Sequence, residues 1–176
     1  FGVRGFSFRD STFTAKKRWV REFCERLIEA NVDVQWRCNT RVDCVTEELL
    51  ELMKRAGCLT INFGVESLHP DIMKRINKDV PFEMIEDAHR WCRKFGIRTY
   101  TTFLVGSPGE TDETIRTTID RAKKLRPSMA MFFVTIAYPG TELYREAVRE
   151  NLVEPDWWHN EQFDPNKNTS FEKRWG

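Results

Sequence analysis

No apolar run in the 176-residue chain approaches the roughly 18 residues that cross a bilayer, and its first residues lack the basic and apolar blocks of a secretory leader. A soluble, cytoplasmic protein is expected. An excess of one charge is missing as well. The 28 Lys and Arg stand against 27 Asp and Glu, interspersed along the chain. No basic field therefore invites nucleic acid or an anionic membrane surface. The five cysteines, Cys24, Cys38, Cys44, Cys58 and Cys92, are odd in number and widely spaced, which argues against a disulfide framework and against paired zinc ligands. Small buried core thiols account for most of them. His69, His89 and His159 are too scattered for metal-ligand spacing, and His89, on a helix, reads as packed or solvated. A G-x-G-x-x-G fingerprint, a Gly-Lys-Ser/Thr phosphate loop and a G-x-S-x-G elbow are all absent.

What is present is a strong alternation. Gly2 to Asp10 reads as a strand, and Ala15 to Ala30 places Trp19, Phe23, Leu27 and Ile28 on one helical face. Val32 to Arg41 is strand-like, and Thr46 caps a helix that has Glu47 and Glu48 in its first turn and Gly57 at its stop. Cys58 to Glu66 forms the third strand. Pro70 and Pro81 open helices over Asp71 to Ile76 and Phe82 to Phe95, with Gly96 as the left-handed stop. Ile97 to Val105 is a strand, Thr111 caps Asp112 to Leu125, Met129 to Ala137 is the fifth strand, and Thr141 caps Glu142 to Glu150.

Such an order implies parallel strands with right-handed crossovers, in an open doubly wound sheet or in a barrel. Polar or glycine-bearing motifs at the strand ends, repeated every 25 to 40 residues or so, favour the barrel. Residues 1–150 are expected to form it. Residues 151–176 read as an irregular tail packed through Trp157 and Trp158.

The strand ends deliver Asp10-Ser11-Thr12, Arg41 with Asp43, Glu66-Ser67, Gly106-Ser107-Pro108-Gly109-Glu110 and Tyr138-Pro139-Gly140-Thr141 to one face, the face that holds sites in parallel α/β folds. Asp10, Glu66 and Glu110 can accept hydrogen bonds from an ammonium or from ribose hydroxyls, and Arg41 can grip a carboxylate with two donors. The set suits a zwitterionic nucleoside. A structural reading stays open beside it: a polar turn at Asp10 and Thr12, an Arg41–Asp43 pair, a solvated Glu66, and a Glu110 that only complements a helix start.

The stretches FRDSTFT, WRCNTRVD, ELLELMKRAGC, INFGVES, IMKRINK, FLVGSPGETDETIRTTI and YPGTELY, in this order, resemble the radical S-adenosylmethionine (SAM) barrel of enzymes often joined to an upstream cobalamin-binding domain. Members of that kind include the anaerobic magnesium-protoporphyrin monomethyl ester cyclase and cobalamin-dependent methyltransferases. The resemblance spans about Gly2 to Trp158. It implies a partial six-stranded (β/α) barrel of the TIM-like kind. The loop after its first strand carries C-x-x-x-C-x-x-C around a 4Fe-4S cluster, and SAM bound there is cleaved reductively to a 5′-deoxyadenosyl radical. By this resemblance the chain supplies strands two to six, and the first βα unit, with the cluster ligands, lies outside it. Asp10 would meet the SAM amino group, Glu66 and Ser67 the ribose or methionine moiety, and Gly106 to Glu110 and Tyr138 the adenine; Arg41 would be a carboxylate partner.

Three positions depart from the family pattern: Ser11 stands where a second acid is common, Leu68 where glycine follows Glu-Ser, and Ala137 where proline precedes Tyr-Pro-Gly-Thr. They bear on details of SAM contact. The missing cysteine motif bears on activity: the parent is expected to perform methyl transfer or oxidative cyclisation on a small molecule, and this stretch alone to be inactive. A cluster-free nucleotide-binding or scaffold barrel is the competing expectation. Sticky unpaired edges could also make any dimer an artefact of the open barrel.

Overall fold

The computed structural model describes residues 2–78 and 80–155. Five strands, β1 (Gly5–Ser7), β2 (Gln35–Thr40), β3 (Cys58–Glu66), β4 (Arg98–Val105) and β5 (Met129–Val134), form one sheet in the order β1-β2-β3-β4-β5, every pair parallel. A doubly wound sheet reverses its strand order at a switch point. This one does not, so the crossovers run in a single direction and the sheet is part of a barrel. The helices are α1 (Lys17–Glu29), α2 (Glu47–Arg55), α3 (Pro70–Arg75), α4 (Phe82–Lys94), α5 (Asp112–Leu125) and α6 (Glu142–Arg149).

Alternation along the strands separates two faces. Trp36, Cys38 and Thr40 of β2, Phe63 and Val65 of β3, and Thr99, Thr101 and Phe103 of β4 are buried under the helices, with Leu49, Leu50, Met53, Ile85 and Leu125 opposite them. Rings from the segment after β1, from α1 and from β2 lock the first unit together. Phe8 lies 4.3 Å from Phe13, and both meet Phe23 and Trp36 at 5.4–6.0 Å, largely edge to face. The indole of Trp36 donates to the Ala56 carbonyl at 2.7 Å, which satisfies its one polar atom inside the core.

The element ends follow from local chemistry. The Thr46 hydroxyl accepts from Leu49 N at the start of α2, and Thr111 with Thr114 closes a reciprocal cap on α5. Gly57 takes φ +95° at the turn into β3, and a Cβ there would run into the Val34 carbonyl, so only glycine fits.

Two expected strands are shorter than the sequence suggests. At the outer edge β1 pairs with β2 through Gly5–Ser7 alone, before the chain turns off at Phe8 to Asp10. β5 stops at Val134, because its partner strand β4 ends at Val105, before Gly106, whose φ of +82° turns the backbone away; one further bond, Thr135 N to Val105 O, is the last of the ladder. A short 3-10 turn, Phe13–Ala15, precedes α1 in place of its first residues. Trp157 and Trp158 lie outside the described residues.

Candidate functional site

The C-terminal ends of β3 and β4, neighbours in the sheet, each present a glutamate. At the end of β3 the register with β4 slips between Gly64 and Glu66, a bulge that leaves Glu66 at φ +74°. A left-handed conformation in a non-glycine residue costs roughly 1 kcal/mol or more and needs surrounding structure to hold it. Lys78, in the segment between α3 and α4, supplies that hold: Nζ donates to Glu66 Oε1 at 2.9 Å and to the Gly64 carbonyl at 2.7 Å. The second carboxylate oxygen, Oε2, is buried and has no hydrogen-bond partner among the described residues.

At the end of β4 the chain turns through Gly106 and Gly109, at φ +82° and +79°. Nothing but a Val134 methyl group, at 3.9 Å, approaches the position a Gly106 side chain would occupy, so backbone is open to a ligand there. Gly109 shares that left-handed backbone, and the Arg75 guanidinium lies against it where a Cβ would be. Glu110 is 8% exposed. Its Oε2 accepts from Ser107 N at 2.9 Å, bracing the turn, and its Oε1 is buried without a donor among the described residues. A buried carboxylate oxygen lacking a donor is costly unless something supplies one. Adjacent strand ends thus each carry one such oxygen, an acceptor for a hydroxyl or ammonium group.

Asp10 is exposed just beyond β1, and its carbonyl accepts from Asn39 Nδ2 at 3.2 Å; Asn39 Oδ1 in turn accepts from Asn62 Nδ2 at 2.9 Å, a chain of amides across β1, β2 and β3. Arg41 makes a two-pronged contact with Asp43, 2.9 and 2.7 Å, which pulls the Asp43 carboxyl below its ordinary value and leaves the guanidinium engaged within its own turn. Ser67 is buried, its hydroxyl 3.2 Å from that of Thr118 on α5 and accepting from His69 N; it ties the strand end to a helix. Tyr138 follows β5, 63% exposed, with its carbonyl capping the turn through Thr141 N and Oγ1. The structure thus brings Glu66, Gly106 and Glu110 to neighbouring strand ends.

Lys78, Arg75 and Asn62 escape a reading of strand ends because they lie past a helix, in a helix and inside a strand. The Gly64–Glu66 spacing within INFGVES and the lysine in IMKRINK are the signals that join them in retrospect.

The cysteines offer no metal centre. Cys24, Cys38, Cys58 and Cys92 are buried between sheet and helices, where burial pushes the Cys24 and Cys92 thiols up to about 12, far from the thiolate form a metal takes. No group of three or more metal-binding side chains converges among the described residues. No described helix is long and apolar enough to cross a membrane.

The family profile described as the Radical SAM superfamily matches residues 1–122. The chain belongs to the Radical SAM superfamily. It is 35% identical over 153 residues to an uncharacterized methyltransferase of Pyrococcus horikoshii, covering 87% of this chain and 33% of that protein. It is 32% identical over 143 residues to the anaerobic magnesium-protoporphyrin IX monomethyl ester cyclase of Rubrivivax gelatinosus, covering 80% and 26%. The chain therefore spans a third or less of these relatives. The radical S-adenosylmethionine methyltransferase TsrM of Kitasatospora setae, solved with cobalamin and a 4Fe-4S cluster, matches in fold with a TM-score of 0.78 at 22% identity, over 85% of this chain and 31% of that one.

Proposed function

We propose that this stretch of chain holds the nucleoside end of S-adenosylmethionine within a larger radical enzyme that acts on a small molecule by methyl transfer or oxidative cyclisation. The observation that carries the reading is the pair of half-used glutamates, Glu66 and Glu110, each with one oxygen held by the protein and one buried without a donor. Ribose hydroxyls and an ammonium are donors of the kind such oxygens require, and a carboxylate accepting from them forms charge-assisted hydrogen bonds. The open backbone at Gly106 suits close approach of a flat base.

SAM bound at a 4Fe-4S cluster supplies hydrogen-abstraction chemistry. The residues of this chain do not fit the cluster, because four of its five cysteines are core thiols, Cys44 is only half-buried, and no three metal-binding side chains converge among the described residues. What these residues do is bind and orient. Glu66 and Glu110 accept, the turn at Gly106 to Gly109 shapes the wall, and the helix-covered face of the sheet keeps the strand ends rigid. A cobalamin-binding domain belongs to the parent protein on this reading, which the cobalamin bound to TsrM supports.

Calorimetric titration with SAM tests the assignment. Glu66→Gln, which keeps the shape and removes the charge, should weaken binding about tenfold or more, the worth of a hydrogen bond to a charged acceptor. Affinity unchanged in both Glu66→Gln and Asp10→Ala would overturn the ligand role of these strand ends. A parallel titration with adenosine separates the competing reading, cluster-free nucleotide binding, for which loss of the methionine moiety should cost little.

A further inference from the structure

We infer that the barrel lumen, at the N-terminal end of the sheet, holds a small-molecule oxyanion of the phosphate kind between Arg37 and Arg98. The inference does not rest on the SAM reading: Thr60, at the centre of this site, precedes Glu66 on β3 by about 20 Å of strand.

The register of the sheet builds the site. Trp36 and Cys38 on β2, Ile61 and Phe63 on β3, and Thr99 and Thr101 on β4 are buried on the helix-covered face. Alternation therefore turns their neighbours Arg37, Thr60 and Arg98 to the lumen. The pairing runs straight across four strands: Ser7 stands opposite Arg37, Arg37 opposite Thr60, and Thr60 opposite Arg98. One row thus carries two guanidiniums and two hydroxyls, all of them able to donate to an anion. The next row along, Asn39, Asn62 and Tyr100, is polar as well. A (β/α) barrel ordinarily fills its interior with layers of Val, Ile and Leu. Two successive polar layers are not a packing core.

The row lines a cavity of about 410 Å³, with Phe6, Trp36 and Leu59 as apolar wall. That volume lies in the range of small-molecule sites. Its charge is of one sign, since no lining residue is acidic. Asp33, the acid just before β2, is 89% exposed and faces Arg4 at 3.9 Å. Arg37 Nε donates to the Ser7 hydroxyl at 3.1 Å, which orients the fork and leaves its Nη groups for another acceptor. Two guanidiniums rooted about 10 Å apart in a concave wall repel each other and focus a positive field. An oxyanion relieves that repulsion. Arginine forks match phosphate oxygens with paired donors, and two of them match the double charge of a phosphate group. Barrels place chemistry at the opposite face, so the bound group is held here as a ligand and does not react.

Backbone amide shifts of the chain and the phosphorus line width of inorganic phosphate test the site, at an ionic strength fixed with chloride. Phosphate should shift the amides of Ser7, Arg37, Thr60 and Arg98 along a saturable curve, and acetate, with a single charge, should bind about tenfold more weakly. Arg98→Gln should weaken phosphate about tenfold, the worth of a hydrogen bond to a charged group, and leave SAM affinity and the melting temperature unchanged. Arg126→Gln, a charge change beyond the row at the same end of the sheet, should leave phosphate affinity as it is. Shifts that never saturate, or equal weakening by Arg126→Gln and Arg98→Gln, reveal a diffuse field and overturn the inference. If Arg98→Gln lowers the melting temperature, Arg37→Gln makes the same decision. Phosphate broadening that persists in the full-length parent and falls on Arg98→Gln there supports the small-molecule site. Broadening seen in this chain and lost in the parent means that a carboxylate of the remaining chain fills the row, and the inference falls.

Discussion

Residues whose polar atoms the core must satisfy show most directly how this sequence is constrained. His89 lies fully buried on α4, 2.7 Å from the Ile85 carbonyl through Nδ1 and 2.8 Å from the Thr101 hydroxyl through Nε2. The carbonyl can only accept, so Nδ1 carries the hydrogen and Nε2 accepts from Thr101. Burial pushes the imidazole below its ordinary 6.5. A histidine whose folded value lies below its unfolded one is neutral in the native chain while the unfolded chain takes up a proton, so its contribution to stability is full above pH 6.5 and is lost as pH falls below it. Urea unfolding at pH 7.5 and pH 5.5 should show a drop at the lower pH that His89→Gln reduces. His89 is legible from sequence only as a packed helix residue; its tie to Thr101 is not, because the partner lies on a strand twelve residues away. Lys78 is hidden for the same reason. Its carboxylate partner is twelve residues back across a helix, and nothing in the local pattern marks the pair.

Among the elements, caps and stops are where sequence and structure agree best, since they depend on residues within one turn of each other. Thr46, Thr111 and Thr141 each accept from the backbone N–H three residues on, and Pro70 opens α3. Gly57 and Gly96 stop helices in the left-handed region. Gly57→Ala should cost about 1–3 kcal/mol, because the new methyl meets a strained φ and the Val34 carbonyl together. Gly96→Ala should cost less, with nothing within 4 Å of the added carbon, and urea midpoints of the two variants check the ordering. Strand lengths were less legible. The apolar runs from Gly2 and up to Ala137 carry strand character, yet strands end where partners end, and partners are a property of the sheet.

At the scale of the molecule, the alternation of strands and helices sufficed to read a parallel sheet, and motifs at strand ends pointed to a barrel, because both follow from chain order alone. Which strand-end residues converge was less accessible: the Arg41–Asp43 pair was one of two readings left open, and the tie of Ser67 to Thr118, fifty-one residues on, is not marked in the local pattern. The distribution of cysteines also acts at this scale. Anaerobic incubation of the chain with iron and sulfide should leave it without stable thiolate-to-iron absorbance, since its buried thiols lie under the helices; four irons retained per chain would contradict the structure. The strand order has a further consequence. Each strand's partner on one side is the strand made just before it, so no segment waits for a distant one before it can pair. Each βα unit can dock as soon as the ribosome has released it, and the sheet grows in the direction of synthesis. The same arrangement lets whole units be gained or lost at either end of the sheet over evolutionary time without rerouting the strands that remain.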